Sequence, residues 1–270
     1  MTRATDRKRI ELGTDDLIFE IEGPVAWLTF NRPQARNAMT WAMYEGLYAA
    51  CERVDAEDAV RLFVLLGAGD RAFVAGTDIS QFQAFNTADD ALSYERNVNR
   101  CATRLEGIQK PTIAMIRGYC VGGGAAIAMA CDLRIASRDA RFGVPIARTL
   151  GNTLSAQNLA RLVALVGPAR AKELLFTARF IEADEGRSIG LYTEVVEADQ
   201  LASRTRELAT VIAGHAPLTI RSIKEGVRRL LVHGRIEEAT DLYLMCYLSE
   251  DFKEGVAAFM EKRPPQWKGR

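Results

Sequence analysis

Histidine is scarce in this chain. Only His215 and His233 occur among 270 residues, and neither stands near a candidate nucleophile. A zinc centre or a serine–histidine triad therefore has almost nothing to be built from. Charge of one sign is missing too: 35 basic residues cancel 35 acidic ones. That balance removes the global electrostatic reason to expect a nucleic acid or an anionic membrane as partner. There is no basic tail and no interleaving of aromatic with basic residues, the pattern that binds single-stranded nucleic acid. No apolar run reaches the roughly eighteen residues that a spanning helix needs. Residues 1–10 are polar and basic with no apolar stretch behind them, which does not read as a secretory signal. The cysteines, at 51, 101, 120, 131 and 246, are odd in number and lack metal-ligand spacing, so no metal site is expected. Cys120 and Cys131 sit in apolar runs, as buried thiols do in a reducing cytoplasm.

What is present is the material of an α/β protein. Hydrophobic residues make up 48% of the chain, enough at this length for one large core. Residues 1–15 read as a flexible polar extension. Residues 17–21 and 25–30 alternate as strands around Glu22-Gly23-Pro24. Residues 41–54 have helical periodicity, and 60–66 form a continuous apolar run, the mark of a strand covered on both faces. A polar loop (80–90), an amphipathic helix (91–108), a strand (112–116), a glycine-rich turn, a helix to Ala130 and a strand (133–136) follow. Strand and helix thus alternate through a core at 16–200, and 201–270 is a helical C-terminal region.

The most informative segment is Gly118-Tyr119-Cys120-Val121-Gly122-Gly123-Gly124, between a strand and a helix. Consecutive glycines let a ligand reach the backbone. They also sit where a helix has unpaired N–H groups and a partial positive charge, as an anion or oxyanion site requires. A dinucleotide fingerprint has different glycine spacing, and no Gly-Lys-Ser/Thr follows to make a P-loop. A second turn, Ala72-Phe73-Val74-Ala75-Gly76-Thr77-Asp78-Ile79, also follows a buried strand. Two such turns on neighbouring strands can aim two N–H groups at one carbonyl oxygen.

Taken together these motifs resemble the crotonase superfamily of enoyl-CoA hydratases and isomerases. The resemblance runs from about residue 17 to the end. It also rests on Asn31-Arg32-Pro33-Gln34-Ala35-Arg36-Asn37-Ala38, on Lys110-Pro111-Thr112-Ile113-Ala114, on Cys131-Asp132-Leu133-Arg134-Ile135-Ala136 and on Ala258-Phe259-Met260-Glu261-Lys262-Arg263. It implies a spiral of ββα units with a helical C-terminal trimerisation region, assembled as a homotrimer or a dimer of trimers. It implies an acyl-CoA thioester as substrate, with coenzyme A entering as part of that substrate and no covalently bound cofactor. The oxyanion hole would be the N–H groups of Thr77 and Gly123. Contacts to CoA would come from Ala35, Arg36, Ala38, Ala75, Thr77, Asp78, Ile79 and Gly123, and from Phe259 and Lys262 of the C-terminal helices, commonly those of a neighbouring subunit. Many family members carry a lysine just after the Asp-Ile pair; here Ser80 stands there. Arg36 is then the candidate cation for the nucleotide phosphates. Asp78 and Asp132 resemble residues that brace turns.

Two residues that the resemblance calls for are absent. Hydratases of this family activate water with two glutamates. One follows the third glycine of the turn by two positions, which is Ala126 here; the other follows Phe142-Gly143-Val144-Pro145, where Ile146 stands. Neither side chain can move a proton. The polar groups left near the acyl end are Arg148, Thr149, Asn152, Thr153, Ser155 and Gln157, and Tyr94 and Glu95 lie on the helix after the polar loop. Three functions are compatible with this set. The first is a CoA-thioester lyase or isomerase that works through an enolate with unusual acid–base groups. The second is a decarboxylase of a β-carboxyacyl-CoA in which Arg148 holds the carboxylate. The third is a CoA-binding or scaffold protein whose catalysis has lapsed.

Overall fold

The structure is a computed structural model, and it describes residues 7–84, 87–233 and 240–270. The N-terminal hairpin joins β2 (Leu17–Glu22) to β3 (Val25–Phe30) through the left-handed Gly23. Upstream, β1 (Arg7–Ile10) pairs antiparallel with β2, Ile10 opposite Phe19 and Arg7 opposite Glu22. The expected extension is therefore ordered strand over these residues. Its side chains are mostly exposed, and Arg7 faces Glu20 and Glu22 across the edge. Backbone pairing and charge hold it, so apolar periodicity carries no trace of it.

Helix α1 (Trp41–Ala56) starts where the Thr40 hydroxyl accepts from the Met43 N–H at 3.3 Å. It buries Met43, Tyr44, Leu47, Ala50, Cys51 and Val54, a stripe of helical period. From there the chain winds as a spiral. Each turn gives one strand to a large sheet, one to a small sheet, and then a helix. The first turn is β4 (Leu62–Gly67), β5 (Ala72–Ala75) and α2 (Ala88–Glu106). The second is β6 (Thr112–Ile116), β7 (Tyr119–Val121) and α3 (Gly123–Ala130). The third is β8 (Leu133–Ser137), β9 (Arg141–Gly143) and the short α4 (Ile146–Thr149). This is the ββα spiral that the resemblance implies. Helices α5 (Ala156–Val166) and α6 (Pro168–Thr177), strand β10 (Ile181–Glu182), helix α7 (Ala183–Ser188) and strand β11 (Glu194–Val196) close the core.

The large sheet runs β1-β2-β3-β4-β6-β8-β11, parallel from β3 onward; the small one runs β10-β9-β7-β5. One face of the large sheet packs on the main core, with Phe19, Leu28, Phe63, Leu65 and Ala114. Its other face, with Trp27, Leu62, Val64, Ile113 and Ile135, is covered by Leu201 and Ala209 of α8 (Leu201–Ala213). That two-sided cover is why β4 reads as a continuous apolar run. The buried Arg134 guanidinium donates to the carbonyls of Cys131 and Leu191, both at 2.7 Å, and of Ala128 at 3.2 Å, tying down the end of α3. Helices α9 (Pro217–His233), α10 (Thr240–Tyr247) and α11 (Glu250–Glu261) follow, as the C-terminal helical pattern predicts. Among the described residues no helix is long and apolar enough to cross a membrane.

Candidate active site

Strands β5 and β7 are parallel neighbours, with Ala75 opposite Val121. The residues that follow them leave the small sheet side by side, and both turns use left-handed glycines, Gly76 at φ +97° and Gly122 at φ +55°. Beyond them stand Thr77 and Gly123. Met39 bridges the first turn: its N–H donates to the Gly76 carbonyl, and its carbonyl accepts from the Asp78 N–H, both at 2.9 Å. The Thr77 N–H between these bonds has no acceptor among the described residues. Gly123 is the first residue of α3, so its N–H has no partner within the helix. The two turns are in contact: a β-carbon placed on Gly123 would lie 3.5 Å from the Thr77 nitrogen and 3.2 Å from its Oγ1. Two backbone donors without an acceptor among the described residues thus stand at neighbouring turns, with the positive end of α3 behind one of them.

Thr77 and Gly123 both line a cavity of about 220 Å³. Its walls include Val98, Val144, Ile146, Leu150, Ala126, Tyr94 and Glu95, with Asn152, Thr153 and Ser155 at the loop side. Thr77 Oγ1 lies in a chain of hydroxyls, 2.8 Å from Tyr44 and 3.3 Å from Tyr94. Burial pushes both phenols above their ordinary range, so they remain neutral donors near pH 7. Tyr44 escapes a sequence reading because it looks like any other core residue of α1. Glu95 is half-buried beside Tyr94, and desolvation holds its carboxyl above the usual carboxylate range.

Ala126 and Ile146, the two positions where the resemblance calls for glutamates, both line this cavity with apolar side chains. Arg148 goes elsewhere. It is exposed and is not part of the cavity wall. The reason is helical geometry. On α4, Ile146, Thr149 and Leu150 share one face (i, i+3, i+4) and line the cavity, while position i+2 points away. The carboxylate clamp expected of Arg148 is therefore not what this arrangement supplies.

The remaining expected contacts divide into two groups. Around the 3₁₀ turn Pro33–Ala35, Arg36 and Asn37 have positive φ, and the Arg36 carbonyl accepts from the Ala75 N–H at 3.0 Å, which sets Ala35, Arg36 and Ala38 beside β5. The buried Asn37 locks this turn through the carbonyls of Ala68 and Ala72. The Arg36 guanidinium lies 5.5 Å from the Tyr119 ring centre, with Arg141 near the same ring at 5.7 Å. Ala75 and Ile79 line the cavity. Asp78 accepts from Ser80 Oγ at 2.7 Å and from Arg32 at 3.2 Å; the Ser80 bond, then Arg32, draws its carboxyl below the ordinary value, and its role is to brace the turn. Asp132 is a brace as well, accepting from Thr112 and from Lys224. Lys262, in contrast, is exposed at the end of α11 and is not part of the cavity wall. The side chain of Phe259 lies outside the described residues.

Comparison with known proteins gives the family. Residues 20–270 match the enoyl-CoA hydratase/isomerase family. The chain belongs to that family. It is 37% identical over 252 residues to a short-chain-enoyl-CoA hydratase of Clostridium acetobutylicum, covering 92% of this chain and 96% of that one. A crotonyl-CoA hydratase of Syntrophomonas wolfei is also 37% identical, over 253 residues, with 92% and 96% covered. Among solved structures, an enoyl-CoA hydratase/carnithine racemase from Magnetospirillum magneticum superposes with a TM-score of 0.89 at 34% identity, over 95% of this chain and 97% of that one. Family members act on CoA thioesters, and the crotonase fold is shared throughout.

Proposed function

We propose that this family member binds an acyl-CoA with its thioester oxygen between the N–H groups of Thr77 and Gly123 and stabilises the enolate that forms there. The observation behind this reading is the pair of backbone N–H groups, at neighbouring turns that both line the cavity, with no acceptor among the described residues. Donors fixed in place before the reaction stabilise developing charge without reorganising. The reaction belongs to a CoA-thioester lyase or isomerase, and not to a standard hydratase, because the wall offers Ala126 and Ile146 where water would be activated. Decarboxylation loses its specific support with Arg148 outside the cavity. The CoA end would lie along Ala35, Arg36 and Ala38, where two guanidiniums flank Tyr119. Assembly as a trimer or dimer of trimers belongs to the same proposal, as does a reducing cytoplasm. Cys51, Cys101, Cys120 and Cys131 are buried there, and desolvation pushes Cys101 up to about 11 and Cys131 up to about 12.

The test pairs binding with turnover. Saturated acyl-CoAs should bind in the micromolar range by titration calorimetry, about −8 kcal/mol. Hydration of crotonyl-CoA should run about 10²- to 10⁴-fold below an efficient hydratase for each missing acid–base group. No binding heat from any acyl-CoA would end the CoA reading. Fast hydration would show that another group activates water.

A further inference from the structure

The cavity lacks the carboxylates that its family places on α3 and α4, yet it is not without one. Among the described residues that line it, Glu95 is the sole carboxylate, and Tyr94 is the sole other titratable group. We propose that Glu95, from α2, is the group that carries the α-proton of the bound acyl-CoA, a role that rests on the acyl-CoA reading above.

The placement follows from the helix. Tyr94 and Val98, four residues apart, turn the same face of α2 toward the cavity, and Asn99, on that side, meets Ser155 Oγ at 2.6 Å. Glu95 lies between them and enters the same wall as Thr77 and Gly123. No hydrogen bond or ion pair among the described residues engages its carboxylate, unlike the many surface glutamates of this chain that are held by arginines. The other side chains that line this cavity are neutral, among them Tyr94 from α2, Ala126 from α3, Ile146 and Thr149 from α4, and the amide and hydroxyls of the 152–155 loop, and the buried Tyr44 of α1 is neutral as well. Burial among them raises its proton affinity, the adjustment that suits a carboxylate to exchange a proton with carbon near neutral pH.

The step balances without a co-reactant. The Glu95 carboxylate takes a proton from the carbon next to the thioester carbonyl. The C–H electron pair becomes the enolate, whose oxygen lies between the two backbone donors. The same proton, or one exchanged with solvent, then returns from Glu95 to carbon.

Exchange of the α-protons of butyryl-CoA in deuterium oxide, followed by mass and by proton NMR, reads this step whatever the physiological reaction. The wild-type protein should incorporate deuterium, with a rate that rises with pH through a titration above the ordinary carboxylate range. Glu95→Gln should exchange at least about 100-fold more slowly and lose that titration, while binding butyryl-CoA with unchanged affinity. Glu95→Asp, which keeps the carboxylate but retracts it, should retain part of the rate. Exchange in Glu95→Gln equal to wild type would overturn the proposal, as would a wild-type protein that binds butyryl-CoA and exchanges nothing. Failure to bind butyryl-CoA at all would instead remove the acyl-CoA reading beneath it.

Discussion

One methyl group at residue 123 tests the two-donor site. A β-carbon there would come within 2.6 Å of the Tyr44 hydroxyl and 3.2 Å of Thr77 Oγ1, so Gly123→Ala must push the Tyr44–Thr77 pair aside and move one donor turn against the other. The atoms displaced are the ends of side chains, which can yield, so the fold should survive. Acyl-CoA turnover or α-proton exchange should fall about 10²- to 10³-fold, the usual cost of spoiling one oxyanion donor. Gly124→Ala is the contrast. Its β-carbon would fall on the backbone carbonyl of Val74, which cannot swing away, so it should cost about 1–3 kcal/mol of stability, read from denaturant midpoints. A Gly123→Ala protein with full turnover would sink the two-donor geometry. The two turns, at Gly76 and Gly122, were legible in the sequence because glycine itself signals backbone access, while the choice of Thr77 and Gly123 as donors came from the resemblance. Glu95 was less so. Tyr94, Val98, Cys101 and Leu105 mark the buried stripe of α2, and Glu95 sits on its border, where a charged residue reads equally well as solvated. Arg148 shows the opposite error: nearness to Ile146 in sequence suggested the same pocket, and a turn of about 100° per residue carried it to the other side.

Single elements depend on a few polar ties. Helix α9 is joined to the core through Lys224, whose ammonium donates to Asp132 at 2.7 Å and to the Lys110 carbonyl at 3.0 Å. The same Asp132 oxygen accepts from the Thr112 N–H at 2.7 Å and hydroxyl at 2.9 Å, so one carboxylate links β6, the start of β8 and α9. Lys224→Met keeps the stem and removes the donor. It should lower stability by about 1–2 kcal/mol and speed amide exchange along α9 more than in β6. Unchanged exchange in α9 would show that apolar packing alone holds the helix. The long elements were legible because each spans enough residues to display a period. Strands β5, β7, β9 and β10 hold only two to four residues each, too few to alternate. The small sheet therefore read as a set of turns, although it positions both donors. Its order is imposed by the large sheet and the spiral, which no local pattern records.

At the scale of the whole molecule, the C-terminal helices leave a large apolar area uncovered. Ile223, Val227, Leu230 and Leu231 repeat at helical spacing along α9 and are exposed, as are Leu244, Tyr247 and Leu248 near α10 and Phe252, Val256 and Met260 on α11. Water-facing stripes of this extent are unusual on a protein that works alone. The trimeric assembly proposed above would cover them with surfaces of the neighbouring copies, one face of each chain meeting a different face of the next. Sedimentation equilibrium at micromolar concentration should then give a mass of three or six chains, and Val227→Glu combined with Leu231→Glu should yield monomers. The second consequence concerns the site. Lys262 is exposed and does not line its own chain's cavity, and the proposed assembly is what would bring it to the CoA of a neighbouring copy. Dissociation should therefore weaken binding of CoA itself, by an amount that Lys262→Met reproduces in the assembled protein. A monomeric wild type would refute the assembly. Monomers that bind CoA as tightly as the oligomer would show that each chain builds its nucleotide site alone, from Arg36 and the turn around it.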